Sequence, residues 1–170
     1  TRTAGFNTVD IGELHDSTTL MFMSLMIIGG GSTSTAGGIK VTTFIVLILA
    51  TVAFFRRRDT LHAFGRSLGV EEVMKVLALA MVSMLTVMGA IFVLSVMHDG
   101  AFLDIAFETV SAFATVGLSR GETGELDGLG RAAVIFLMFV GRVGPLTLGF
   151  FLATQAPPRV RYPGGRVFLG

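Results

Sequence analysis

From Ser17 to Phe55 the chain carries one charge, Lys40, in 39 residues. As a single helix that run would reach about 58 Å, roughly twice the ~30 Å hydrocarbon layer of a bilayer. Its middle, Gly29-Gly30-Gly31-Ser32-Thr33-Ser34-Thr35-Ala36-Gly37-Gly38, holds five glycines. Each glycine is ~1 kcal/mol worse than alanine inside a helix. The run therefore predicts helix, irregular loop, helix. Loop backbone at membrane depth is tolerated only where protein encloses it or water reaches it.

Composition points to the same solvent. Hydrophobic residues make up 52% of the 170-residue chain and charged residues 15%, against the ~25% charged that is usual in soluble domains. A net charge of +1 gives no electrostatic basis for binding a nucleic acid, and the absence of Cys excludes disulfides, zinc–cysteine sites and thiol catalysis. Fifteen Phe and many Leu, Ile and Val exclude disorder. Thr1 is not a Met, and no signal-peptide pattern follows it. The expectation is a piece of a longer polypeptide, opening inside a motif.

Three further segments complete the pattern. Val76 to Met97 has no charge over 22 residues, ~33 Å as a helix, and predicts a full crossing. Ala132 to Ala156 is apolar but interrupted by Arg142 and Pro145. An Arg at membrane depth costs at least ~2.5 kcal/mol on insertion scales, so it must face protein or a pore. Ala101 to Ser119 is apolar but only 19 residues long. It predicts a re-entrant helix over about Phe102 to Phe113, with Asp99 as N-cap, then an extended segment. Arg56, Arg57, Arg58 and Arg66 follow the broken run, and Arg159, Arg161 and Arg166 lie in the tail. These basic segments should be cytoplasmic, and the opposite loops, with Asp10, Glu13, Asp16, Glu122, Glu125 and Asp127, should be outside.

The chain also repeats itself at an offset of 112. Thr3, Gly5, Gly12, Glu13, Leu14, Leu25, Met26, Gly29, Thr35 and Gly37 face identical residues at Thr115, Gly117, Gly124, Glu125, Leu126, Leu137, Met138, Gly141, Thr147 and Gly149, without a gap. The unit is span, half-helix, Thr-x-Gly segment, span. Thr115-Val116-Gly117 shares its residues with the TVGYG loop of potassium channels, whose backbone carbonyls replace the hydration shell of the ion. Leu118 and Ser119 depart from that loop, and Ala4-Gly5-Phe6-Asn7 departs further. The half-helix would point its negative C-terminal end at Thr115, which favours a cation there. Acidic outer loops would concentrate cations, or form an ordinary solvated rim.

Four segments resemble one family: Arg2-Thr3-Ala4-Gly5-Phe6-Asn7-Thr8, the run Gly31 to Lys40, Ser111 to Ser119, and Gly141-Arg142-Val143-Gly144-Pro145-Leu146-Thr147. Together they look like the Trk/Ktr/HKT superfamily of potassium transporters. The closing Arg161 to Gly170 resembles the bacterial Ktr membrane subunit.

The resemblance implies an all-α integral membrane protein built of four helix–pore helix–filter–helix repeats around a pseudo-fourfold pore, as a homodimer in the plasma membrane, multi-pass with a cytoplasmic C-terminus. This chain would supply the filter and broken second helix of repeat three (1–58), a cytoplasmic loop (59–73), all of repeat four (74–156) and a cytoplasmic tail (157–170). The filter would be Thr3, Ala4, Gly5, Phe6 and Asn7 with Thr115, Val116, Gly117 and Leu118. The glycine loop, Gly29 to Gly38 with Lys40, would be the gate, together with Arg142 in the pore. The rest of the polypeptide, the lipid bilayer and a cytosolic nucleotide-binding ring would be its partners. No covalent cofactor is expected; K+ would be the transported ion, with Na+ open because two filter segments lie elsewhere.

Several residues keep two readings. Arg142 aligns with Gly30 and could repel cations in the pore, donate to freed loop carbonyls, or pair for assembly alone. Lys40 could cap the loop or snorkel. Glu108 could support the filter or make a generic interior contact. Asn7 could steady the filter or cap a turn. His15, His62 and His98 show no ligand spacing, and the nine Met are core filler. A nucleotide-binding enzyme is disfavoured, because Ile39 separates Gly38 from Lys40 where a P-loop needs Gly-Lys. A non-transporting membrane scaffold or receptor gives no reason for two Thr-x-Gly segments.

Overall fold

The computed structural model describes residues 4–31, 36–56, 61–63 and 66–144. In chain order these form α1 (Asp16–Ile27), α2 (Val41–Phe55), a short hairpin of β1 (Leu61–Ala63) and β2 (Arg66–Leu68), α3 (Val70–Met97), α4 (Phe102–Phe113), a 3-10 turn (Glu122–Gly124) and α5 (Gly128–Val143). The fold is helical apart from that hairpin, whose strands pair antiparallel with His62 opposite Ser67.

The run from Ser17 to Phe55 does not form one helix. α1 stops at Ile27 and α2 starts at Val41. The two ends are joined by a parallel bridge between Ile28 and Ile39. Gly29 N donates to Ile39 O (2.8 Å), Ile39 N to Ile27 O (3.0 Å) and Val41 N to Gly30 O (3.1 Å). Backbone groups that leave the helical ladder thus pair with each other across the neck of the loop, as a low-dielectric surrounding requires. Gly38 has φ +75°, and a Cβ there would lie 3.1 Å from Ile27 O. Gly29 cannot carry a Cβ at all, because it would run into the carbonyl oxygen of Gly37.

α4 is the most enclosed element. Every residue from Ile105 to Phe113 is buried, and α4 packs against α1, α3 and α5. Gly141 of α5 makes the closest approach: a Cβ there would collide with the carbonyl of Phe113. α3 behaves oppositely. Its 28 residues span ~42 Å, and Met81, Met84, Leu85, Met88, Phe92 and Val96 are all exposed. Among the described residues α3 is the one helix long and apolar enough to cross a membrane; α2 is apolar but shorter. Such an apolar surface is unfavourable in water and costs nothing against lipid tails.

Three sequence expectations about helix starts need correction. α3 begins at Val70 rather than Val76, because Glu71 and Lys75 pair across one turn (2.7 Å) and continue the helix past the end of its apolar part. Residues 70–73 therefore belong to α3 and not to the preceding loop. Asp99 does not cap α4; the N-cap position is Ala101, with no side-chain cap. α5 begins at Gly128 rather than Ala132, capped by Asp127, whose Oδ1 accepts from Gly130 N (2.7 Å). Such a cap contributes ~1 kcal/mol. α1 and α5 start 112 residues apart, at the repeat offset.

Candidate functional site

α4 ends in a turn that its sequence makes unusual. Ala114 is the C-cap, and Thr115 follows with φ +53°. Thr115 N donates to Ala112 O (3.0 Å) and Val116 N to Ser111 O (2.9 Å). This is the paired-bond helix terminus that normally places Gly in the left-handed position. A β-branched residue there is a steric outlier, of a kind that costs of order 1–3 kcal/mol and gathers at functional sites. Among the described non-glycine residues Thr115 is the only one with positive φ.

Beyond Thr115 the chain leaves the helix, and burial alternates. Val116 and Leu118 are buried, while Gly117 and Ser119 are exposed. Ser111 of α4 donates its hydroxyl to Leu118 O (2.6 Å) and holds the segment from behind. Gly117 has φ +84°. Alternating positive and negative φ turns successive peptide planes, so that carbonyls of an extended segment can face one side.

Gly5 lies directly against this segment. It too has positive φ, +67°, and a Cβ on it would sit 3.4 Å from Val116 O and 3.8 Å from Gly117 O. A Cβ on Gly117 would be 3.2 Å from the Cα of Gly5. The two glycines related by the repeat are therefore neighbours in space, both left-handed and both exposed. Ala4 and Phe6 are exposed beside Gly5. Asn7 Nδ2 donates to Val9 O two residues on (2.6 Å). Thr3 lies outside the described residues.

The glycine loop meets the same place from the other side. Gly37 N donates to the hydroxyl of Thr115 (3.0 Å). Ala36, Gly37, Gly29 and Gly30 are buried, and Gly31 is exposed. A Cβ on Gly37 would lie 2.8 Å from Thr115 Oγ1. Ser32, Thr33, Ser34 and Thr35 lie outside the described residues. Lys40 occupies the N-cap position of α2, half-buried, and its side chain does not cap that helix. Arg142 is exposed in the last turn of α5, which is still helical where the aligned Gly30 has already left α1. Four of the loop residues whose carbonyls it could reach, 32–35, lie outside the described ones.

On the opposite flank, two carboxylates of α4 hold the residues that follow Gly117. Glu108, 5% exposed, accepts from Ser119 Oγ (2.5 Å), Arg120 N (2.8 Å) and Thr123 Oγ1 (2.5 Å). Three donors make its burial affordable. Asp104 accepts from Arg120 Nε. Of the two readings of Glu108, the geometry favours support of the Thr-x-Gly segment, since two of its donors lie within three residues of Gly117.

The sequence reading missed Arg120. Its guanidinium also donates to Ile11 O (3.2 Å), Gly12 O (3.2 Å), Leu14 O (3.4 Å) and Thr19 Oγ1 (2.7 Å). A signal existed: Asp104 and Glu108, four apart on an otherwise apolar helix, share one face and demand donors. His98, for which the sequence shows no ligand spacing, pairs with Glu122 (Nε2–Oε2, 2.8 Å). With Glu125 the three offer ligand atoms within 4.8 Å of one another, a donor set that could hold a divalent ion.

A sequence model of TrkH, described as cation transport protein, matches residues 1–158. The chain is 44% identical over 169 residues to Ktr system potassium uptake protein B of Bacillus subtilis, covering 99% of this chain and 38% of that relative. It is 37% identical over 171 residues to Ktr system potassium uptake protein D of the same organism, covering 100% of this chain and 38% of the relative. It is 39% identical over 176 residues to potassium/sodium uptake protein NtpJ of Enterococcus hirae, covering 99% of this chain and 39% of the relative. The chain thus spans less than two fifths of the length of these curated relatives.

Proposed function

The chain belongs to the TrkH family of cation transport proteins, and from that membership we propose that it carries the third and fourth filter segments of a potassium uptake pore. The observation that carries the reading is the contact between Gly5 and Gly117, two repeat-related glycines in left-handed backbone, side by side and exposed. A carbonyl filter needs this arrangement: backbone freed from side chains, with peptide planes turned toward a shared axis. α4 supplies the rest, because its C-terminal end carries partial negative charge and ends at Thr115. The resident element of the site is a cation in transit, so no reaction chemistry is asked of the chain.

The glycine loop is the gate in this reading. Its described residues Gly29, Gly30, Ala36 and Gly37 are buried and outside any helix, and Gly37 N donates to the hydroxyl of Thr115. Arg142, level by repeat alignment with the start of the loop, contributes a positive barrier or a donor to loop carbonyls. Opening is set by a cytosolic nucleotide-binding subunit acting on a homodimer, with the C-terminus on the cytoplasmic side of the plasma membrane. Na+ is the competing cation, as the name of the Enterococcus potassium/sodium uptake protein suggests.

The test is growth rescue. The full-length polypeptide, expressed in cells that lack potassium uptake, should restore growth at low K+. No rescue at confirmed membrane abundance, with the regulatory subunit present, would overturn the reading.

A further inference from the structure

We propose that Arg120 is a positioning residue that fixes the two filter segments relative to each other from the outer side. The inference rests on the filter reading above. Arg120 stands three residues after Gly117, and its side chain is 9% exposed. Its backbone N–H is held by Glu108 of α4 (2.8 Å), and its Nε by Asp104 of the same helix. Those two contacts tie Arg120 to repeat four.

The far edge of the guanidinium points the other way. Nη1 reaches the carbonyls of Ile11 (3.2 Å) and Leu14 (3.4 Å) and the hydroxyl of Thr19 (2.7 Å), and Nη2 reaches the carbonyl of Gly12 (3.2 Å). All four belong to repeat three, in the stretch leading from Gly5 into α1. Thr19 is fully buried, so that end of the link is fixed in the core. One planar fork with five donors therefore bridges two segments that are more than 100 residues apart in sequence and touch at Gly5 and Gly117.

The bridge is a question of distance as well as stability. Filter carbonyls discriminate between ions only where their separation is held. α4 already packs on α1 of repeat three, and Arg120 adds polar contacts to the backbone between Gly5 and α1. Arg120 transmits the position of α4 to the backbone beyond Gly5. Lysine cannot do the same: a single ammonium lacks the fork needed to serve Asp104 and three carbonyls together.

The experiment compares K+ uptake under Na+ competition for the full-length parent, Arg120→Lys, Arg120→Gln and Thr19→Val, at matched membrane abundance, with Gly117→Ser as control. Arg120→Gln should lower the preference for K+ over Na+ by about tenfold, with Arg120→Lys and Thr19→Val intermediate. Thr19→Val removes one arm only and keeps the test open if Arg120→Gln does not fold. A purely structural role would lower thermal stability and abundance but leave the preference per transporter unchanged, and that result overturns the proposal. If Gly117→Ser shifts the preference and no Arg120 or Thr19 variant does, the positioning role fails alone. If Gly117→Ser also leaves it unchanged, the filter reading fails and the proposal with it.

Discussion

Gly37 and Thr115 are joined by a hydrogen bond from backbone N–H to hydroxyl, 3.0 Å long, across 78 residues. It links the glycine loop of one repeat to the left-handed residue that ends α4 in the other. The bond gives Thr115 a reason to occupy a position where Gly is the usual choice. A glycine would relieve the backbone but offer the loop no acceptor.

Thr115→Val keeps the shape and removes that acceptor, leaving the buried N–H of Gly37 without its partner. One such bond contributes ~0.5–1.5 kcal/mol net, so local opening of the loop should rise by up to about tenfold. Hydrogen exchange of a peptide covering residues 36–40 checks this: faster in Thr115→Val than in the parent, and near the parent rate in Thr115→Ser.

The loop glycines should not be equivalent. A Cβ at Gly37 would press on Thr115 at 2.8 Å, whereas a Cβ at Gly31 meets nothing within 4 Å. Gly37→Ala should push the loop off the filter segment and raise basal cation flux in the absence of the regulatory subunit. Gly31→Ala should leave flux near the parent value. Tracer uptake at equal membrane abundance separates the two.

Arg142→Ala removes positive charge from the end of α5, level by repeat alignment with the start of the glycine loop. Basal uptake without the regulatory subunit should increase while abundance holds. Equal or lower flux in the variant would leave Arg142 a structural role only.

Gly141→Ala should destabilise the packing of α5 on the C-terminal turn of α4. Its Cβ would meet the backbone carbonyl of Phe113, which cannot step aside as a side-chain end could. Overpacking of this kind costs ~1–3 kcal/mol. Thermal unfolding in detergent should shift down for Gly141→Ala and not for Gly128→Ala, where a Cβ meets nothing within 4 Å.

The sequence made some of this visible and hid the rest for physical reasons. α4 was readable to its last residue, because its apolar run is half a crossing long and a Thr-x-Gly segment follows. The break between Ile27 and Val41 was readable because five glycines oppose a helix. The start of α3 was not: Glu71 and Lys75 end the apolar run, but charge patterning says nothing against helix once the two pair along it. The hairpin over Leu61 to Leu68 is too short and too charged at its flanks to give a strand pattern. The partners of Arg120 were not readable, since most of those its guanidinium finds are backbone carbonyls more than 100 residues away, and carbonyls leave no mark in a sequence.

The central claim is that the exposed backbone at Gly5 and Gly117 is the ion path. Gly117 has φ +84° and lies 3.2 Å, from where its Cβ would be, to the Cα of Gly5. An L-residue there is strained by ~1–2 kcal/mol and displaces the facing segment. The measurement is the K+ uptake rate of the full-length polypeptide over a range of Na+ concentrations, for parent and Gly117→Ser at equal membrane abundance. The account predicts that the preference for K+ over Na+ falls by about tenfold in Gly117→Ser. An unchanged competition curve, with uptake intact, would contradict it.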